Sequence, residues 1–427
     1  MSSNQHVSAL NGTANGSVNG SAASAPLSPQ TIACGRADID GPDPLVESVC
    51  QSTTFVQNEL SGEVTCTYSR VSNPTVESLE TVLGRLEQAP PAVCFSSGLA
   101  AETALFLALL RQGDHVVLSQ AIYGGTVRLI RELLSGLGIS STFVDATEPA
   151  NIAAALRPQT RLVFVETPAN PTLCLNDIEA ISRITRDAGV PLAVDNTFLT
   201  PVLQQPLELG ADISVYSTTK HIEGHSSALG GAIVSRDAEL VERVRWIRKS
   251  TGSIQTPQNA WVTLRGVKTL PLRIRQHSRN AEVLARALAD DPRVITVNYP
   301  GLDGFPQAEL AERQHRGGHG GVISFELAGG FETTCRFLKA VRLCTLVEHV
   351  GSVETLLTHP ASMTHADVPR EQLAAVGLTP GLVRLSVGLE EPAEILADLF
   401  QAFSRALAGP APVVQDQGGR SCALTNV

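Results

Sequence analysis

Between about residues 70 and 235 the chain alternates short apolar runs with longer amphipathic stretches. That alternation predicts parallel strands joined by crossover helices. A strand buried on both faces reads as a continuous apolar run, whereas a helix covering the sheet is apolar along one side only. Strands are expected at His115–Leu118, Leu162–Val165, Leu192–Val194 and Ile213–Tyr216, and helices at Ala100–Arg111, Thr126–Leu137 and Asn176–Ala188. Each apolar run ends in polar residues. In open parallel sheets ligands collect beyond the carboxyl ends of the strands, which draws Glu166 to Asn170, Asp195 to Thr197 and Ser217 to Lys220 toward one crevice.

The chain has 427 residues, 43% of them hydrophobic, enough for two or three domains. Residues 1–45 are rich in Ser, Asn, Gly and Ala, lack a periodic apolar face, and read as a disordered polar tail. Three Asn-Gly-Ser/Thr triplets at Asn11, Asn15 and Asn19 match the glycosylation pattern, but no apolar leader precedes them. An N-terminal arm is expected at 46–70 and a large α/β domain at 71–278. A smaller α+β domain at 279–408 contains amphipathic Ala281–Ala289, strand-like Val322–Leu327 and Val383–Glu390, and a final helix at Pro392–Leu407. Residues 409–427 read as a second loose tail.

Several function classes drop out on composition. A net charge of −10 and 4% aromatic residues argue against a nucleic-acid surface, which needs clustered cations and stacking rings. No apolar run approaches the roughly 18 residues that span a bilayer, so no membrane partner is expected and the cytoplasm is the expected location. The eight cysteines contain no C-x-x-C pair and read as reduced thiols. His221 and His225, like His315 and His319, are four apart, but neither pair sits in an H-E-x-x-H helix, and no metal is expected. Gly224-His-Ser226 lacks the last glycine of a nucleophile elbow, which disfavours a serine hydrolase.

The expected crevice contains a complementary set. Asp195 at one strand end can hold a pyridine nitrogen protonated, and Lys220 after the next strand can form a Schiff base with an aldehyde. Together these meet the needs of pyridoxal 5'-phosphate (PLP) acting as an electron sink. Ser217 and Thr219 offer hydroxyls to a phosphate, and Ser96-Ser97-Gly98-Leu99-Ala100 opens a helix whose free N–H groups form a second cradle.

The ordered motifs extend further. They comprise Tyr68-Ser-Arg70-Val-Ser-Asn73-Pro74, Ser97-Gly98-Leu99-Ala100-Ala101, Tyr123-Gly-Gly-Thr126, Glu166-Thr-Pro-Ala-Asn170-Pro171, Asp195-Asn-Thr-Phe198, Leu207-Glu-Leu-Gly-Ala-Asp212, Ser217-Thr-Thr-Lys220, His359-Pro-Ala-Ser-Met-Thr-His365 and Arg384-Leu-Ser-Val-Gly-Leu-Glu390. Over about residues 48–408 the chain resembles the PLP enzymes of Cys/Met metabolism, the cystathionine γ-synthase, γ-lyase and O-acetylhomoserine sulfhydrylase kind. The resemblance implies fold type I, with a mainly parallel large-domain sheet and a smaller α+β C-terminal domain. It also implies a homo-oligomer, a tetramer built as a dimer of dimers. Lys220 would carry the cofactor and shuttle protons, Asp195 would pair with the ring nitrogen, and Tyr123 would stack on the ring. Gly98, Leu99, Ser217 and Thr219 would hold the phosphate, and Tyr68 and Arg70 would reach the phosphate of the neighbouring subunit. Arg384 would clamp the substrate α-carboxylate, with Asn170 and Thr355 nearby.

The resemblance also frames the reaction, γ-replacement on an activated homoserine or α,γ-elimination, through a vinylglycine-like intermediate. Methionine γ-lyases typically carry a cysteine two residues after the stacking tyrosine, where this chain has Gly125, and a Lys-Asp pair where it has Arg248-Lys249-Ser250. Gly224-His-Ser-Ser227 lacks the aspartate usual in cystathionine enzymes, and Thr355 stands where lyases commonly carry serine. The expectation is a γ-synthase acting on O-acetyl-L-homoserine with a small-molecule thiol or carbon nucleophile, and the alternative is a lyase on cystathionine, cysteine or methionine.

Overall fold

A computed structural model describes residues 27–35, 45–57, 66–364 and 377–408. The triplets at 11–21, His365 and the segment 409–427 lie outside them. The apolar runs form a seven-stranded sheet of β1 (Val93–Phe95), β2 (His115–Ser119), β3 (Ser140–Val144), β4 (Thr160–Glu166), β5 (Leu192–Asp195), β6 (Ile213–Tyr216) and β7 (Gly231–Ser235). The spatial order is β1-β7-β6-β5-β4-β2-β3. All neighbours are parallel except around β7, which runs antiparallel to both β1 and β6. β1 therefore points the same way as β4, β5 and β6. In register, Glu166 lies opposite Asp195, and Asp195 opposite Val215, so these strands end at one level.

Several flanking helices start at a side-chain cap. Asn73 caps Pro74–Leu86 by accepting from Thr75 N, Ser97 caps Gly98–Leu109 by accepting from Ala100 N, and Asp177 caps Ile178–Asp187. Gly98–Leu109 is apolar on nearly all sides because it is enclosed by β1, β6, β7 and the helix Ala238–Thr251. Buried Arg248 on that last helix bonds Glu80, Cys94 O and Val71 O, tying the start of the large domain to its edge strand.

A second sheet of five strands, in the order β10-β11-β12-β9-β8, comprises β8 (Val294–Asn298), β9 (Val322–Leu327), β10 (Thr345–Leu346), β11 (Leu356–Thr358) and β12 (Leu382–Ser386). Only the β10–β11 pair is parallel. The helices Gly330–Ala340 and Pro392–Leu407 close its core around Phe325, Phe337 and Phe403. The helix Leu270–Ala289, about 30 Å long, runs unbroken through 278/279. Its first half packs Leu270 and Ile274 in the large-domain core, and its second half packs Ala281, Leu284 and Leu288 in the small-domain core.

Two local readings are corrected. Within the stretch read as a disordered tail, Pro29–Cys34 is a helix capped by Ser28, with Ala33 buried in the large-domain core. Six residues with only Ile32 and Ala33 packed on that core leave too weak a period to be seen in sequence. The helix expected at Thr126–Leu137 is instead Gly124–Arg128 continued by a π-helical turn, Leu129–Leu134, and a 3₁₀ turn. No described helix is long and apolar enough to cross a membrane.

Candidate active site

The carboxyl ends of β1, β4, β5 and β6 open onto a cavity of about 360 Å³ that β12 closes from the smaller domain. Its lining includes Ser97, Gly98, Leu99, Tyr123, Glu166, Asn170, Asp195, Ser217, Thr219, Lys220 and Arg384. Nine of the twelve predicted site residues, Arg384 among them, thus share the cavity wall, whereas Tyr68 and Arg70 lie elsewhere on the chain and Thr355 lies behind the wall.

At one end the helix Gly98–Leu109 points its unpaired N–H groups at the cavity. A Cβ on Gly98 would come within 2.9 Å of the Ser217 side chain, so the backbone approach there requires glycine. Ser217 is held by its own N–H, which donates to Thr197 Oγ1 at 2.8 Å. The Thr219 hydroxyl both donates to Gly230 O (3.1 Å) and accepts from Gly230 N (3.0 Å), so it also pins the loop before β7.

On the floor are three carboxyl groups. Asp195 Oδ1 accepts from Thr197 N at 2.9 Å, and burial raises its pKa. No cationic side chain pairs with it among the described residues. Glu166 accepts from Tyr123 N (2.7 Å) and Asn170 N (2.9 Å); burial and the nearby Asp195 charge push it well above the carboxylate range despite those bonds. Glu102, which sequence reading missed, is pushed up to about 8 by burial and by Asp195, and accepts from Thr126 Oγ1 at 2.7 Å. Its signal was available, since Glu102 is four residues after Gly98 and so on the same helix face.

Lys220 follows β6 in a tight turn. Burial and the Arg384 charge bring its amine down to about 8, and no carboxylate among the described residues forms an ion pair with it. Arg384, buried on β12, donates from Nη1 to Asn170 Oδ1 (2.9 Å) and from Nη2 to His349 O (2.8 Å) and Thr358 Oγ1 (2.9 Å). Its Nε is buried without a partner. Thr358 and His349 were not anticipated, because β11 and the loop before it carry no motif that points to them.

Thr355 is not beside Arg384. It is fully buried, its N–H and hydroxyl both donate to Glu390 at 2.7 Å, and its Oγ1 accepts from Gly388 N at 2.9 Å. Three residues before Thr358 and outside β11, it faces the end of β12 rather than the cavity. Tyr68 is 44% exposed. The Arg70 guanidinium lies 5.3 Å from the Tyr68 ring centroid and donates to Lys249 O at 2.7 Å.

These features fit pyridoxal phosphate. A helix N-terminus with flanking hydroxyls matches a phosphate, a buried carboxylate lacking a cation matches a pyridinium, and an uncompensated buried amine of lowered pKa matches an aldehyde partner. The model for Cys/Met metabolism PLP-dependent enzymes matches residues 30–404. The chain belongs to this family. It is 43% identical over 355 residues to cystathionine γ-lyase of Bacillus subtilis, covering 83% of this chain and 93% of that one. It is also 43% identical over 367 residues to cystathionine γ-synthase of Mycobacterium bovis, covering 85% and 94%. The structure of cystathionine γ-synthase from Xanthomonas oryzae pv. oryzae in complex with aminoacrylate and cysteine superposes with a TM-score of 0.87 at 38% identity, over 90% of this chain and all of that one. The fold is type I of the PLP-dependent enzymes, and as a member of this family the protein is a PLP-dependent enzyme of the synthase or lyase kind.

Proposed function

We propose that the protein catalyses γ-replacement on an activated L-homoserine, O-acetyl-L-homoserine, with a thiol or carbon nucleophile. The cofactor, when bound, supplies an electron sink for carbanions formed at the substrate's Cα and Cβ. The residues of the chain supply the rest. Arg384, fixed by Asn170, His349 O and Thr358, offers its free N–H groups to the α-carboxylate. Lys220 would hold the cofactor aldehyde at rest. As a free amine with a pKa near 8, it can take the Cα and then the Cβ proton close to neutral pH. Asp195 would hold the ring nitrogen protonated, while Gly98, Leu99, Ser217 and Thr219 would anchor the phosphate. Tyr123, hung by its N–H on Glu166, would cover the ring and face the γ-leaving group.

The observation that carries the replacement reading is Gly125. A Cβ there would come within 2.4 Å of the Tyr123 ring, so the ring lies directly over a bare backbone where methionine γ-lyases are expected to carry cysteine. The cavity wall continues past Tyr123 to Leu229, which is 60% exposed, and to Val350 and Met363. This apolar approach suits a second substrate better than water alone. The 43% identity to a cystathionine γ-lyase keeps elimination as the second reading.

The test is mass spectrometry of products from PLP-loaded protein given O-acetyl-L-homoserine and a panel of thiols and carbon nucleophiles. A homoserine-derived adduct is expected and names the nucleophile. Release of 2-oxobutanoate alone with every partner would show a lyase.

A further inference from the structure

The Lys220 amine has one hydrogen-bonding neighbour among the described side chains, the imidazole of His349, whose Nδ1 lies 3.4 Å from Nζ. The turn that carries this histidine is pressed onto the lysine from the smaller domain. Gly351 has φ +87°, and a Cβ there would come within 2.5 Å of His221 N and 2.9 Å of the Lys220 carbonyl carbon. Only glycine fits that close, left-handed position. The Gly351 N–H donates to Ser386 Oγ at 2.9 Å, two residues along β12 from Arg384, and the His349 carbonyl accepts from Arg384 Nη2. One three-residue turn therefore touches both the amine and the guanidinium.

The charge around the ring is mixed. Burial and the neighbouring Lys220 and Arg384 lower its pKa to about 4, and Glu223 and Glu354 act in the opposite direction. The second imidazole beside the lysine, His221, is likewise held neutral by burial and by the cations around it. A neutral ring can accept a hydrogen bond without stabilising the ammonium as a carboxylate would. Acceptance at Nδ1 assigns the ring proton to Nε2, which is buried without a partner.

We propose that His349 is a positioning residue for Lys220: its Nδ1 accepts one amine N–H and so aims the nitrogen lone pair at the substrate Cα–H, while the carbonyl of the same residue sets the position of Arg384. The two functions separate cleanly on substitution. Every residue keeps the carbonyl, so the carboxylate clamp survives changes at 349, whereas the aim of the amine depends on the side chain. Asparagine can place an acceptor oxygen near the Nδ1 position. Aspartate places a charge there and holds the lysine protonated.

The inference rests on Lys220 as the cofactor-bearing base, and that assignment is tested separately by borohydride reduction of the holoenzyme and peptide mapping. Label anywhere but Lys220 would overturn both the assignment and the proposal. With Lys220 labelled in wild type and in every 349 variant, His349→Ala is expected to lower kcat about 10- to 100-fold with KM for the amino acid unchanged, and His349→Asn to recover most of that loss. In the cofactor-free protein, the pH profile of Lys220 acylation by acetic anhydride, read by mass spectrometry, is expected to move to higher pH in His349→Asp. An Ala variant with wild-type kcat, a loss confined to KM, or an acylation profile unmoved by aspartate would each overturn the positioning role.

Discussion

Replacing Arg384 by lysine keeps the charge and removes the fork, which makes it a direct test of the carboxylate clamp. The guanidinium spends three hydrogen bonds on Asn170, His349 O and Thr358, at 2.8 to 2.9 Å, and keeps a buried Nε–H in reserve. A lysine ammonium at the same site cannot serve those three acceptors and still present two parallel donors to a carboxylate. Losing one charge-assisted bond to the substrate costs about 1.5–3 kcal/mol, or roughly a 10- to 150-fold fall in kcat/KM. The acceptors left unpaired in the wall add about 1–3 kcal/mol of lost stability. The assay is steady-state kinetics with the product followed by mass spectrometry, alongside thermal melting and cofactor content. PLP uptake should be unchanged, because the proposed phosphate and ring anchors lie on the other domain. A kcat/KM within a factor of about three of wild type, or loss of PLP in place of a kinetic defect, would refute the clamp.

Three further outcomes are expected. Thr355→Val removes the hydroxyl that joins Glu390 to Gly388 N and should lower stability by about 1–3 kcal/mol with KM unchanged; a raised KM without destabilisation would return Thr355 to the substrate. Glu102 has its pKa raised from 4.5 to about 8 in the folded protein, so its contribution is fully present below about pH 4.5 and is lost as pH rises toward 8. Glu102→Gln should accordingly flatten the decline in melting temperature of the cofactor-free protein across that window, and an unaltered slope would contradict the burial of its proton. Finally, if Arg70 serves the neighbouring subunit's phosphate, inactive Lys220→Ala and Arg70→Ala chains refolded together should regain activity that neither has alone, measured by product formation after mixing; a mixture as inactive as its parts would show that Arg70 does not act across the subunit interface.

Much of this site could be read from the chain because its residues sit at places where a local pattern fixes direction. Asp195 ends an apolar run, Lys220 follows the next one, and a sheet with parallel neighbours must bring such ends together. Ser97 caps a helix whose first turn must then face outward. Arg384 was legible only through its ordered motif, since a cation on an antiparallel strand has no intrinsic reason to be buried. Thr355 was misplaced because a residue in a turn carries no period: moving three positions along, from the turn to Thr358 on β11, changes which side it faces. His349 and the helix Pro29–Cys34 escaped for the same reason, their positions being decided by partners far away in sequence, Lys220 and the core around Leu83. The π-helical turn at Leu129–Leu134 preserves the apolar content of the predicted helix while shifting its phase, which composition cannot reveal.

The two proposed anion anchors belong to different cores. The proposed phosphate cradle at Gly98 is built on the large sheet, and the guanidinium at Arg384 is built on the small one, with the helix Leu270–Ala289 spanning both. The gap between the anchors is therefore a ruler whose length is set by packing at the seam. His277 Nδ1 against Val387 O at 2.7 Å and Asn280 against Gly388 O and Glu390 O at 3.1 Å calibrate it. A family built this way can change which substrates it measures correctly by drift at residues that never meet them, leaving lysine, aspartate and arginine untouched.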